Sequence, residues 1–194
     1  MTSHPSAFPA NALAKWPNVP ACYDWLSLDR RGRWRLQGQP VSHGGLIDFL
    51  NRHYGHDEAG HWFVQNGPQR VYVALEYTPW VLRRTNETAD TGFSTHTGQV
   101  VAAVDRVFLD EEGNLLLSFP DGIGLLHDGD LPALLGELRN DQDQPPEEDQ
   151  LLALMTGTTP LPAIFWRGQP VERLCRATVG PRFGFIAAPQ AQSE

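Results

Sequence analysis

Three histidines and two acids fall within nine residues, at His53-Tyr54-Gly55-His56-Asp57-Glu58-Ala59-Gly60-His61. Imidazole nitrogens and carboxylate oxygens are common donors to zinc or nickel, so this segment has the composition of a metal site. Its spacing argues against one. His53 and His56 straddle an expected helix end and His61 opens an expected strand. No H-E-x-x-H is present, no cysteine lies near, and Asp57–Gly60 is accounted for as a turn. The cluster nevertheless defines one reading of the chain, a metal-dependent hydrolase built on His53, His56 and His61.

Other catalytic chemistries find less support. A serine hydrolase needs its nucleophile on a strained turn such as G-x-S-x-G, and the chain has none. Cys22 and Cys175 lie outside any recognised local signature of a catalytic thiol. There is no G-x-x-x-x-G-K-[ST] phosphate loop, and Gly122-Ile123-Gly124 follows a proline and lacks the third glycine of a dinucleotide fingerprint. The acids Asp110, Glu111 and Glu112, and likewise Glu147, Glu148 and Asp149, sit in expected turns or connectors, where solvated surface is their ordinary role.

Binding chemistry is better placed. Val71, Val73 and Leu75 alternate with Tyr72, Ala74 and Glu76, the pattern of a half-buried strand. Asn66, Gln69 and Arg70 stand at one end of this strand, with Glu76 and Trp80 at the other. Amide and guanidinium groups on a rigid element suit a small polar or anionic ligand, or a partner's backbone. The same residue types also build hairpin turns for their own sake.

The elements that must position these groups are short. Strands are expected at 23–28 and 33–36 around Asp29-Arg30-Arg31-Gly32, then a helix at 42–54 capped by Ser42. Strands follow at 61–66, 70–76 and 80–84, and 85–97 reads as a mobile loop. Next come strands at 99–109 and 114–119, a helix from Asp130 through Arg139, an acidic connector at 140–150 and a short helix at 147–155. Three closing strands are expected at 163–167, 171–179 and 182–187. A strand, a charged turn closed by glycine and a second strand occur at both 28–36 and 109–117, each followed by a leucine-bearing helix.

The fold class is therefore α+β: antiparallel sheets with two or three short helices, arranged as two repeated β-β-α units. The expected organisation is an irregular lead-in at 1–20 that Trp16 tucks onto the body, a first lobe at 21–97, a second at 98–188 and a frayed tail at 189–194.

Composition narrows the partners. The 194 residues carry a formal net charge of −8 and no basic block, which argues against nucleic acid and an anionic membrane surface as partners. With 41% apolar residues, six Trp and nine Phe, the chain can form a core without a disulfide, metal or other cofactor. The first twenty residues lack the apolar stretch of a signal peptide, so a cytoplasmic location with reduced cysteines is expected.

Trp34-Arg35-Leu36-Gln37-Gly38-Gln39-Pro40-Val41 resembles the W-x-x-x-G-x-P-[IV] motif of an uncharacterised proteobacterial domain family. The likeness continues, in order, through Asp57–Gly60, Glu76-Tyr77-Thr78-Pro79-Trp80, residues 166–174 and Gly180-Pro181-Arg182-Phe183-Gly184-Phe185. It implies an α+β fold of repeated motifs and a role in signalling or ligand sensing. Tyr77 stands where that family carries a second acid, so a role resting on paired carboxylates does not transfer. Together these readings favour a non-enzymatic regulatory domain that binds a small molecule or a protein of unknown identity, with the histidine-based hydrolase as the alternative.

Overall fold

The computed structural model describes residues 19–85 and 92–191. The expected lead-in at 1–18 with Trp16, the middle of the expected loop at 86–91 and the tail at 192–194 lie outside the described residues.

Alternating apolar side chains and tight turns build the first sheet. Its elements are β1 (Ala21–Leu28), β2 (Trp34–Leu36), β3 (Gln39–Pro40), α1 (Gly44–His53), β4 (Tyr54–His56), β5 (Trp62–Asn66) and β6 (Gln69–Leu75). The strand order is β3-β2-β1-β6-β5-β4. Leu26, Leu28, Val71, Val73 and Leu75 point into the core, as the alternation requires. Two further strands, β7 (Trp80–Arg84) and β8 (Phe93–Thr95), cross to the second sheet. These strands lie in the part of the sequence assigned to the first lobe, yet β7 hydrogen-bonds within the second sheet.

The second sheet adds β9 (Arg106–Asp110), β10 (Leu115–Phe119), β11 (Gly122–Leu126), α2 (Leu131–Leu135) and β12 (Leu138–Asn140). It is completed by α3 (Glu148–Thr156), β13 (Ile164–Trp166), β14 (Gln169–Leu174) and α4 (Arg176–Phe183). Its order is β12-β13-β14-β9-β10-β11-β7-β8. The stretch β12-β13-β14-β9-β10-β11 follows the same plan as the first sheet. In each, one three-stranded meander lies beside another, and the first and last strands of the run meet in the middle. Leu28 pairs with Trp34 and Leu109 with Leu115, so Trp34 and Leu115 occupy the same register position, both buried.

The expected antiparallel sheets are corrected to mixed ones. β1 runs parallel to β6, β9 to β14 and β7 to β11. Hairpins are local and leave turn signals in the sequence. A parallel pair needs a long return connection, here three or four intervening strands, so no local pattern reports it.

Four helices occur among the described residues, where two or three were expected. Caps and strand pairing set where the elements differ from the expected bounds. His43, rather than Ser42, caps α1 by accepting the Leu46 N–H on Nδ1 at 3.3 Å. The helix expected through Arg139 stops at Leu135, because Leu138–Asn140 pairs with β13 instead. Of the strand expected at 182–187, Arg182 and Phe183 end α4, which is capped by Gly184 with a left-handed φ of 68°, and Ile186 forms an isolated bridge to His61. Of the strand expected at 99–109, only Arg106–Asp110 is extended in the sheet. Part of the expected mobile loop is β8, with Phe93 and Thr95 buried.

One turn recurs through the molecule. Asp29, Asp57 and Asp110 each accept, on Oδ1, the N–H groups two and four residues ahead. Asn140 does the same with its amide oxygen. In all four the residue three ahead has a positive φ, between 58° and 86°. That backbone suits glycine, which fills three of the four places. The side-chain oxygen satisfies the N–H groups that a tight hairpin leaves unpaired.

Candidate functional site

Four arginines and the carboxylates that hold them meet where the first hairpin turn faces the second sheet. The site starts from Asp29, the buried residue that ends the β1 pairing. Its Oδ1 fixes the turn, and its Oδ2 accepts Nε of Arg33 at 2.8 Å and Nε of Arg35 at 3.2 Å. Arg33 and Arg35 flank inward-facing Trp34, so the two-residue period of an extended chain places both guanidiniums on the face opposite the core. Burial alone would raise the Asp29 carboxyl. The N–H groups of Arg33 and Arg31, and the Arg33 guanidinium, outweigh it and hold the group below the usual carboxylate range. Arg35 donates one Nη to the Gly38 carbonyl. Among the described residues, no partner for either Nη of Arg33 or for the other Nη of Arg35 is found.

The neighbouring arginines tie this turn to the second sheet. Arg30 donates from its main chain to Glu76 at 3.2 Å, and from its guanidinium to Glu112 at 3.1 Å and Asn114 at 2.7 Å. Arg31 reaches Asp128 at 2.9 Å in an exposed ion pair. Below them Tyr77 donates its hydroxyl to the buried Asp110 at 2.7 Å. Burial and the Asp110 carboxylate push that hydroxyl far above its ordinary value, so it stays protonated. The guanidiniums of Arg30 and Arg176 lie 5.5 Å and 4.7 Å from the Tyr77 ring centre. The result is a cavity of about 420 Å³ lined by Arg30, Arg31, Arg33 and Arg35 against Asp29, Glu76 and Asp128, with leucines of the second sheet beside them.

A second cavity, of about 510 Å³, has the opposite character. Tyr54, Trp62, Trp80 and Phe185 line it, Asp121 provides a carboxylate, and neither Lys nor Arg lines it. The rings of Tyr54, Trp62 and Trp80 pack on one another with centroids 4.7–5.5 Å apart.

The structure separates the residues singled out from sequence. Asn66 and Gln69 face each other across the β5–β6 turn, where Asn66 donates to the Gln69 side chain at 3.3 Å and Gln69 reaches the Val19 carbonyl. Arg70 is exposed, its guanidinium 4.5 Å from the Phe63 ring centre. Glu76 lies at the arginine cleft and Trp80 lines the aromatic cavity, its indole N–H donated to the Asp121 carbonyl at 3.0 Å. The seven residues of β6, roughly 20 Å of extended chain, lie between the two ends.

The histidine cluster does not converge. His53 Nδ1 lies 2.9 Å from the Phe49 carbonyl, His56 Nδ1 lies 3.0 Å from the Asp57 carbonyl, and His61 faces the Asp57 carboxylate at 3.2 Å. Each ring is thus committed to its own helix end or turn. Among the described residues, no group of three His, Cys, Asp or Glu is disposed to hold a metal ion. The hydrolase alternative therefore has no ligand set here.

Arg33 and Arg35 lie in the strand expected at 33–36 and carry no role in the sequence-based site. Their signal is present: Arg30-Arg31-Gly32-Arg33-Trp34-Arg35 places four arginines in six residues, two of them at i and i+2 around a core tryptophan.

Comparison with known proteins adds the fold and the family. A crystal structure of a DUF1285 family protein from Silicibacter pomeroyi DSS-3 is similar, with 13% identity, a TM-score of 0.50, and 88% of each chain covered. A second DUF1285 family protein, from Shewanella baltica OS155, matches 58% of this chain and 91% of its own length, with 15% identity and a TM-score of 0.45. At this identity the Silicibacter likeness concerns the fold. No curated protein matches. The family model DUF2944, described as a protein of unknown function (DUF2946), matches residues 7–190. The chain belongs to that family.

Proposed function

We propose that this protein is a non-enzymatic binding domain that takes a small anionic ligand in the arginine cleft. One observation carries the reading: Arg33 and Arg35 share the buried Asp29 carboxylate through Nε, and most of their Nη groups are without a partner among the described residues. A shared carboxylate fixes two guanidiniums side by side before any ligand arrives, which reduces the ordering cost of binding. Parallel N–H groups of this kind match a carboxylate or phosphate. Four guanidiniums against three carboxylates leave the lining with an excess of positive charge, in a chain whose net charge is −8.

The regulatory part of the proposal follows from where the cleft lies. Its lining comes from the first hairpin and from the second sheet, so a bound anion adds contacts across the junction. In this reading Glu76 orients the Arg30 backbone at the cleft, while Asn66, Gln69 and Arg70 stabilise their own hairpin.

The test is a titration of the ¹⁵N-labelled protein with inorganic phosphate and with succinate, followed through arginine side-chain and β2 amide resonances. Saturable shifts are expected at Arg33 and Arg35, with affinity about tenfold weaker in Arg33→Ala or Arg35→Ala. Shifts spread over the surface, or affinity unchanged in both variants, would overturn the assignment.

A further inference from the structure

The aromatic cavity is built for the opposite charge, and we infer that it binds a small organic ammonium group. Three features carry the inference. First, the carboxylate of Asp121 lies at its rim, held by Gln99 Nε2 through Oδ2 at 2.5 Å, and no Lys or Arg lines the space. Second, two donors that would serve an anion are committed elsewhere. The Tyr54 hydroxyl donates to the Pro79 carbonyl at 2.9 Å, and the Trp80 indole N–H donates to the Asp121 carbonyl at 3.0 Å. The second of these bonds also ties the loop that carries the carboxylate to the indole ring. Third, the lining includes the Tyr54 phenol, the Trp62 and Trp80 indoles and the Phe183 and Phe185 rings, with His56 beside them, and the π systems of such rings attract cations.

The ring cluster is rigid. Tyr54 meets Trp80 edge-on at 83°, and Trp62 meets Trp80 at 81°, so each ring braces the next. Trp62 and Trp80 are almost entirely buried, while Tyr54 is half-buried and Asp121 exposed. What remains accessible is chiefly the Tyr54 ring, beside the Asp121 carboxylate and the His56 imidazole. An alkylammonium head group fits that pairing because its charge is spread over C–H groups that prefer an aromatic wall to water. A strongly hydrated metal ion would gain little from it. This inference is independent of the anion proposal, since the two cavities share no lining residue.

The shared chemistry is an alkylammonium group, which a free metabolite or a methylated lysine could supply. The experiment titrates the full chain with choline, with its neutral isostere 3,3-dimethylbutan-1-ol, and with a trimethyl-lysine peptide, at constant ionic strength. The readout is the Trp80 indole N–H resonance. Choline is expected to shift it saturably, the neutral isostere to bind about tenfold more weakly, and Asp121→Asn to reduce choline affinity by a similar factor. Asp121 is exposed, so this variant should fold, and an unchanged amide spectrum outside the cavity checks that it does. Tighter binding of the peptide than of choline would assign the ammonium to a protein partner, and the reverse to a free small molecule. Equal binding of choline and the isostere, or choline affinity unchanged in Asp121→Asn, would overturn the inference.

Discussion

His96 shows what burial does to a single side chain. Its ring packs against Trp34, Tyr54 and Trp80, and its buried Nε2 has no hydrogen-bond partner among the described residues. Burial drives its pKa down to about 3. The unfolded chain takes up this proton near pH 6.5 and the folded chain only near pH 3, so stability falls as pH drops through that interval. The slope attributable to one such group approaches about 1.4 kcal/mol per pH unit. His127, also lowered by burial and by Arg83, adds a contribution of the same sign. Urea unfolding at pH 7 and pH 5 should therefore show a loss of about 2 kcal/mol from His96. His96→Asn should be less stable at pH 7 but show a flatter dependence between the two. An equally steep dependence in the variant would assign the effect to other groups.

Hairpins set the next scale, and their glycines differ in consequence. Gly32 and Gly38 both have a positive φ, 73° and 77°. Nothing lies within 4 Å of a Cβ added at Gly38, whereas a Cβ at Gly32 would stand 2.6 Å from Cβ of His96. Gly38→Ala should thus cost about 1 kcal/mol, from backbone conformation alone. Gly32→Ala should cost about 2–4 kcal/mol, because the turn must also move away from the hairpin carrying His96. Thermal and urea melts of the two variants measure the difference, and equal losses would show that the turn relaxes freely. The Gly32 turn also carries Arg30, Arg31 and Arg33, so the same variant should weaken anion binding at the cleft.

Across the whole molecule, two sheets share one hydrophobic cluster. Leu26, Trp34, Val73, Leu82, Phe108 and Leu116 all belong to it, drawn from both sheets. Arg30 donating to Glu112, Tyr77 to Asp110 and Arg176 to the Glu76 carbonyl add polar contacts between the same parts. With a common core, neither sheet can expose its inner face without uncovering the other. Far-ultraviolet circular dichroism and tryptophan fluorescence should therefore report a single, coincident urea transition. Separate midpoints would mean that the two sheets unfold as independent units. The two cavities of opposite charge lie on this shared frame, so anion and cation binding can be compared without a change of fold.

The sequence by itself determined the hairpins, the alternation of β6 and the mostly polar character of the turns. These are local properties: a D-x-x-G turn carries its own side-chain acceptor, and Val71, Val73 and Leu75 bury themselves by a two-residue period. Sequence also brought out Glu76 and Trp80, though as one site rather than as members of two cavities. The tertiary structure decided which strands meet in parallel, since β1 and β6 are joined through everything between them. It decided that Leu138–Asn140 is a strand, because pairing with β13 outweighed the helical spacing of its leucines. And it decided the cleft, where Arg33 and Arg35 are two residues apart in sequence but face Asp128 and Leu131 only because the first hairpin docks on the second sheet. Local patterns encode which face of an element is buried; which surfaces then meet depends on long-range packing that no short stretch of residues contains.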